Sequence, residues 1–254
     1  MSRNFLVPWR YMVPKRRRPP QPEPVEIEIY EPNAEPHLSA VVVLDASASM
    51  GSPGCNLGGQ RMVRPIDELN DAFGKFPKHV AEDDILARYG ELAVVRCGGG
   101  VSVLQDFLPV GQFRPPLVQA GGNTPLAESL VLASQMILDR QKYHEERDLD
   151  FHRPFVFAVT DGQPTDPERM LAEATSTIRR LETEKRVAFF VAATEGSDQG
   201  VMTQMMTRKP MPLSDYNYAG MFRWFACSMR AVTQSLPGEE VDLPSPADFG
   251  WTRV

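Results

Sequence analysis

One stretch of the sequence, residues 40–51, constrains the fold more than any other. Its first half is a β-branched apolar run, AVVVL, which predicts a strand buried on both faces, as in a parallel sheet. Its second half becomes polar at once, with Asp45 followed by Ser47 and Ser49. In an open α/β sheet, ligands bind just past the carboxyl ends of the strands. Three oxygen-bearing side chains on one such loop suit a hard cation such as Mg²⁺.

Further strands follow along the chain. The pattern of a buried strand ending in a carboxylate recurs at residues 155–161. Residues 92–97 and 101–107 are predicted to form an antiparallel hairpin, and residues 187–193 another strand. Apolar residues at helical spacing separate these strands. The alternation predicts an α/β fold, with a doubly wound, mostly parallel central sheet, one antiparallel edge strand and helices on both faces.

The chain is predicted to have three parts. Residues 1–37 form a basic, proline-rich arm with a short strand at 25–30, residues 38–236 form the α/β domain, and residues 237–254 form a tail that packs on the domain or trails from it. Residues 1–18 hold six basic residues and no acid, on a chain of formal net charge −6. Such an arm can bind nucleic acid, but a solubilising tail or an arm folded onto its own acidic body is favoured.

We expect a cytoplasmic protein from the hydropathy and the cysteine content of the sequence. No apolar run approaches the roughly 20 residues that span a bilayer, so no membrane partner is expected. The basic N-terminus has no apolar segment after it, which is unlike a secretory signal. Three cysteines without a Cys-x-x-Cys pair fit a reducing compartment and argue against a thiolate zinc site.

A second polar segment lies at residues 121–126, where Pro125 is expected at the first position of a helix with Thr124 as its cap. The two glycines before it let the backbone come close to whatever occupies the site. Each polar residue alone has an ordinary interpretation, since serines cap helices and an aspartate hydrogen-bonds its own loop. Together they favour a metal site. The candidate ligands lie at the carboxyl ends of predicted strands or at the nearest helix start: Asp45, Ser47, Ser49, Thr124 and Asp161.

These pieces resemble the metal-ion-dependent adhesion site of von Willebrand factor A domains. The matching motifs are Asp-x-Ser-x-Ser at residues 45–49, Thr124 in a Gly-Gly-x-Thr-Pro context, and Thr-Asp-Gly at residues 160–162. In such a site the hydroxyls bind Mg²⁺, with Mn²⁺ or Ca²⁺ as substitutes, and the two aspartates act partly through water. One coordination position stays open. The resemblance implies that an Asp or Glu of a partner protein fills it.

The rest of the domain resembles the bacterial tellurium-resistance (TerY) type, over about residues 38–251. Ala48 stands where many members carry glycine, and the first 37 residues lie outside the pattern. The resemblance implies a scaffold or substrate role beside a Ser/Thr protein kinase and a PP2C-type metal-dependent phosphatase, in a stress, metal-resistance or phage response. The segments that carry it are 107–109, 114–117, 222–229 and 237–244.

Two alternatives stay open. The domain is also used in adaptors of AAA+ ATPases. A Mg²⁺-dependent phosphotransferase or hydrolase is the less favoured one, because a nucleophilic aspartate usually needs a second acid two residues later, where this chain has Ser47. No Gly-x-x-x-x-Gly-Lys-Ser/Thr phosphate loop and no Gly-x-Ser-x-Gly elbow occurs in the sequence. The sequence therefore predicts an interaction module and not an enzyme.

Asp166 is interpreted as the cap of a helix that begins at Pro167 and runs to about Lys185, with a role beside a metal ligand as the alternative. The histidines are scattered along the chain and are expected to join no carboxylate cluster. They are His37, His79, His144 and His152.

Overall fold

A computed structural model describes residues 35–55, 62–194, 197 and 199–252. Residues 1–34 of the predicted arm, including its strand at 25–30, lie outside these residues. The strands are β1 (Leu38–Asp45), β2 (Gly54–Cys55), β3 (Met62–Val63), β4 (Gly90–Cys97), β5 (Val101–Pro109), β6 (Phe155–Thr160), β7 (Ala188–Thr194) and β8 (Met211–Leu213). The helices are α1 (Pro65–Val80), α2 (Asp84–Tyr89), α3 (Leu126–Glu145), α4 (Glu168–Thr183), α5 (Gln199–Met205) and α6 (Tyr218–Thr233).

Six of the strands form one sheet in the order β5-β4-β1-β6-β7-β8. All neighbours in it are parallel except β5, which runs antiparallel to β4 at the sheet edge. This confirms the predicted fold class and the hairpin. The sequence missed β8, because three residues around a proline carry no readable alternation. Within the described residues, no helix is long and apolar enough to cross a membrane.

The central strand β1 explains why its sequence is apolar without alternation. Val42 and Leu44 pack into the core beneath α1 and α6, while Val41 and Val43 pack into the core beneath α3 and α4. Every residue of β1 is buried. A strand with helices on both of its faces has no solvent side, so β-branched apolar residues occupy consecutive positions. Polar residues can then enter only at its two ends.

The carboxyl-terminal tail packs on α6. Trp251 is completely buried and lies 5.5 Å, centroid to centroid, from Trp224. The Trp224 indole N–H donates to the Pro244 carbonyl at 2.7 Å, and the Ser214 N–H donates to the Trp251 carbonyl at 2.9 Å. The tail thereby covers one side of the core that α6 forms.

We expect Trp251→Ala to lower the free energy of unfolding by about 3–5 kcal/mol, because it removes a large buried side chain and leaves a cavity. Urea unfolding followed by circular dichroism measures this loss. The matched control is Leu236→Ala, whose side chain is 69% exposed and should change stability by less than about 0.5 kcal/mol. Equal effects of the two changes would mean that the tail does not support the domain.

Candidate metal centre

The Asp45 carboxylate ends β1 and is completely buried. One of its oxygens accepts a hydrogen bond from the Ser47 backbone N–H at 2.8 Å, and the other accepts from the Thr160 hydroxyl at 2.6 Å. Burial of an ionised carboxylate is costly unless hydrogen bonds compensate it. Thr160 therefore fixes the orientation of Asp45. Sequence reasoning missed this role, although the position of Thr160 beside Asp161 at the end of β6 was a usable signal.

A chain of hydroxyl groups runs from Asp45 towards Asp161. The Ser47 and Ser49 hydroxyl oxygens lie 2.9 Å apart, and the Ser49 hydroxyl donates to Asp161 Oδ1 at 2.9 Å. Ser47 is buried and Ser49 is exposed. Neither hydroxyl caps a helix, since the 3-10 turn at Ser49–Gly51 has no side-chain cap. Neither serine therefore has the helix-capping role that is the ordinary interpretation of such a residue.

Thr124 faces the same point from the start of α3. The sequence predicted Thr124 as the cap of this helix, but the structure does not show this. Pro125 is the cap residue, and no side chain bonds the first turn from that position. A Cβ placed on Gly162 would lie 3.3 Å from Thr124 Oγ1, 3.7 Å from Ser49 Oγ and 3.8 Å from Asp45 Oδ2. The structure therefore brings together side chains from three separate segments. They are the five predicted by the sequence: Asp45, Ser47, Ser49, Thr124 and Asp161.

Two neighbouring residues hold the Thr124 segment in place. The Thr124 backbone N–H donates to the Thr165 hydroxyl at 3.1 Å, and the Thr165 N–H donates to the Thr124 carbonyl at 3.0 Å. Asp166 accepts from the N–H groups of Ala127 and Glu128 in the first turn of α3. Asp166 is thus a helix cap, but of α3 and not of α4, which begins at Glu168. The sequence could not reveal a cap that acts across chain segments.

The glycines of the site pack against each other. Gly99 and Gly122 have φ angles of 60° and 78°, and a Cβ on Gly122 would lie 2.2 Å from the Gly99 Cα. Only glycine allows both the left-handed backbone and this approach. The predicted close approach is therefore to a second loop of the same chain.

Burial and the negative charge of Asp45 raise the pKa of the Asp161 carboxyl to about 6, against the opposing hydrogen bond from Ser49. Beneath the site, burial and the charges of Asp161 and Asp45 hold the pKa of the Tyr218 hydroxyl well above its ordinary value. Tyr218 therefore stays neutral. Two carboxylates that repel each other near hydroxyl oxygens form an arrangement that a bound cation would relieve.

The prediction that the four histidines join no cluster with a carboxylate was wrong for two of them. His37 and His144 both lie against the Glu91 carboxylate, at the amino ends of the strands and away from Asp45. Their separation in sequence, one before β1 and one at the end of α3, concealed the cluster.

No protein-family model matches the sequence, and no curated protein matches it. Solved structures do match. A von Willebrand factor type A protein from Catenulispora acidiphila has 15% identity and a TM-score of 0.51, over 77% of this chain and 43% of that one. PilB minor pilin from Streptococcus sanguinis has 13% identity and a TM-score of 0.51, over 79% of this chain and 62% of that one. The chain thus spans less than two thirds of either structure.

A third match covers a domain from end to end. The vWF domain of the type V pili tip protein Mfa5 from Porphyromonas gingivalis aligns with a TM-score of 0.56 and 11% identity, over 82% of this chain and 99% of that domain. At such low identity the likeness concerns the fold alone. The α/β body has the von Willebrand factor A fold.

The raised pKa of Asp161 predicts a pH dependence of stability. The folded protein holds this proton more tightly than the unfolded chain, whose carboxyl has the ordinary value of 3.8. The contribution of Asp161 to stability is therefore lost as pH rises from about 4 through about 6. We expect metal-free wild type to lose about 1–2 kcal/mol relative to Asp161→Asn between pH 4 and pH 7, after allowance for solvent screening.

Urea unfolding in a chelator at both pH values measures this difference. Parallel pH profiles for wild type and Asp161→Asn would contradict the repulsion between Asp161 and Asp45.

Proposed function

We propose that this chain is a metal-dependent protein-interaction module that binds Mg²⁺ at the candidate centre and, through it, a carboxylate of another protein. The observation that carries the proposal is the convergence of three hydroxyls and two carboxylates at the carboxyl ends of β1 and β6. Mg²⁺ takes six oxygen ligands in an octahedron. The Ser47, Ser49 and Thr124 hydroxyls bind the ion directly in this proposal, and Asp45 and Asp161 contribute partly through water.

The solvent exposure of the candidate centre supports the binding of a ligand from another protein. Ser49 is exposed and Asp161 is half-buried, whereas Asp45, Ser47 and Thr124 are buried. The ion is therefore held from below and faces solvent on one side. Neutral hydroxyl ligands leave most of its charge uncompensated, so a partner Asp or Glu at the open position gains a strong charge–charge contact. Mn²⁺ and Ca²⁺ are possible substitutes.

For the cellular system, we propose a cytoplasmic scaffold or substrate beside a Ser/Thr protein kinase and a PP2C-type phosphatase, in a bacterial stress, metal-resistance or phage response. The support for this system is the resemblance of the sequence to the TerY type. An adaptor of an AAA+ ATPase is the alternative. The identity of the captured partner separates the two.

Catalysis is the less favoured function. Both oxygens of the buried Asp45 carboxylate already accept hydrogen bonds, so this group is not placed to attack a phosphoryl donor. One contact does favour a Mg²⁺-dependent phosphotransferase or hydrolase, namely the hydrogen bond from Ser49 to Asp161, which could accept its proton. A panel of phosphoesters tests this directly. We expect no turnover with Mg²⁺, whereas activity that disappears in Asp45→Asn would establish an enzyme.

The metal site is tested by titrating Mg²⁺ or Mn²⁺ into the metal-free protein in a calorimeter. Ser49→Ala should weaken binding at least about tenfold, because it removes one oxygen ligand and the hydrogen bond to Asp161. Ser52→Ala is the matched control, since among the described residues its exposed hydroxyl donates only to the Ala48 carbonyl, at 3.4 Å. Loss of affinity in both variants, or in neither, would exclude the proposed ligand set.

Partner capture tests the interaction. Tagged wild type, Asp45→Ala and wild type in a chelator are used to recover proteins from cells, which are then identified by mass spectrometry. We expect a kinase, a phosphatase or both with wild type alone, because the partner carboxylate needs the ion. Recovery of an ATPase instead would favour the adaptor alternative, and equal recovery in all three samples would exclude a metal bridge.

A further inference from the structure

A second polar cluster lies at the opposite end of the sheet. Glu91 is the second residue of β4, and its carboxylate is 96% buried. His37 precedes β1, and His144 lies in the last turn of α3 with 1% of its side chain exposed. The two rings are 4.9 Å apart, centroid to centroid. Three segments that are distant in sequence thus place two imidazoles and one carboxylate together.

The two imidazoles have a nitrogen without a hydrogen-bond partner among the described residues. His37 Nδ1 lies 3.5 Å from Glu91 Oε1, and His144 Nε2 lies 3.2 Å from Oε2. Both nitrogen atoms are buried, and neither contact has the geometry of a hydrogen bond. Unpartnered buried polar atoms are uncommon and often mark a missing ion or water. The ligand atoms of all three residues lie within 4.8 Å of one another.

We propose that His37, His144 and Glu91 form a binding site for a divalent transition-metal ion, with Zn²⁺ as the favoured ion. Two imidazole nitrogens and one carboxylate oxygen are a ligand set that suits zinc and leaves a fourth position for water. The ligand atoms must move closer together to reach one ion at the Zn–N and Zn–O distances of about 2.0–2.2 Å. His37, with 20% of its side chain exposed, provides the side from which the ion enters.

Arg140 takes the place of the cation when the metal is absent. Its guanidinium donates to both oxygens of Glu91, through Nε at 2.9 Å and through Nη2. Burial by itself raises the pKa of the Glu91 carboxyl, and the hydrogen bonds and positive charge of Arg140 hold it well below its ordinary range. The two Arg140 contacts therefore place a cation directly against the Glu91 carboxylate. The metal must displace at least one of the two Arg140 contacts.

Arg140 has a second contact that remains when it releases Glu91. Its guanidinium carbon lies 4.2 Å from the centroid of the Tyr143 ring, a cation–π contact at the surface. Ser39 donates to Glu91 Oε2 at 2.9 Å and keeps the carboxylate in place during the exchange. The cluster therefore exchanges a guanidinium for a metal ion without exposing an unpaired buried charge.

This site is distinct from the candidate Mg²⁺ centre. Glu91 pairs with Ser39 in register, and Asp45 lies six residues further along β1, or about 20 Å at the rise of a strand. One end offers oxygen ligands for a hard cation, and the other offers imidazole nitrogens for a borderline one.

The test is a titration of the metal-free protein with Zn²⁺, with Co²⁺ absorption spectra as a measure of nitrogen coordination. We expect one Zn²⁺ per chain outside the Mg²⁺ centre. His37→Gln and His144→Gln should each weaken it at least about tenfold, while Asp45→Ala leaves it unchanged. Thermal unfolding shows whether each variant is folded. Because His37 is partly exposed, His37→Gln is the substitution that should disturb folding least.

Substitution of Arg140 is the more specific test. Arg140→Gln should strengthen Zn²⁺ binding about tenfold, because two charge-assisted hydrogen bonds no longer compete with the metal. Arg147→Gln is the matched control, since Arg147 stacks on the same tyrosine at 3.8 Å but makes no contact with Glu91. The proposal is overturned by the absence of saturable Zn²⁺ binding, by binding that survives both histidine substitutions, or by weaker binding in Arg140→Gln.

Discussion

The buried negative charge of Asp45 is the constraint on which the rest of the candidate metal centre depends. A carboxylate with no exposed surface at the end of a buried strand requires hydrogen-bond donors close by. The Ser47 N–H and the Thr160 hydroxyl supply them, and each fixes the start of a loop. The loop after β1 and the end of β6 are thereby tied to one group. Ser49 and Asp161, which these two segments carry, meet as a consequence.

Backbone contacts complete the site. Ala46 donates to the Cys97 carbonyl, Gly121 donates to the Ala46 carbonyl, and Ala48 donates to the Gly122 carbonyl, all at 2.7–2.9 Å. Three loops are therefore joined by main-chain hydrogen bonds, and glycines make their close approach possible. Ala48 is exposed and has an ordinary right-handed helical backbone, so this position does not require glycine. The loops themselves therefore hold the hydroxyls in place.

The two ends of β1 differ in chemistry because the middle of the strand accepts no polar side chain. Both faces of β1 are covered by helices, and every residue of the strand is buried. Charge is therefore confined to the ends, where loops and helix termini supply donors. At one end Asp45 and Asp161 repel each other beside hydroxyls, and at the other Glu91 is neutralised by Arg140. The first arrangement favours the arrival of a cation, while the second already contains one.

Sequence alone predicted five of the six strands of the main sheet, and it predicted the five side chains that the structure brings together at the candidate metal centre. A run such as AVVVL followed by Asp45, Ser47 and Ser49 is local, and strand periodicity and loop polarity are local properties that can be read directly. Tertiary structure decided which groups share hydrogen bonds across segments. Asp166 caps α3 instead of α4, Thr160 orients Asp45, and His37 meets His144 at Glu91. The first two pairings join residues 39 and 115 positions apart, and in the third the two histidines meet at a residue of β4. Only the packing of helices on the sheet brings such groups within bonding distance.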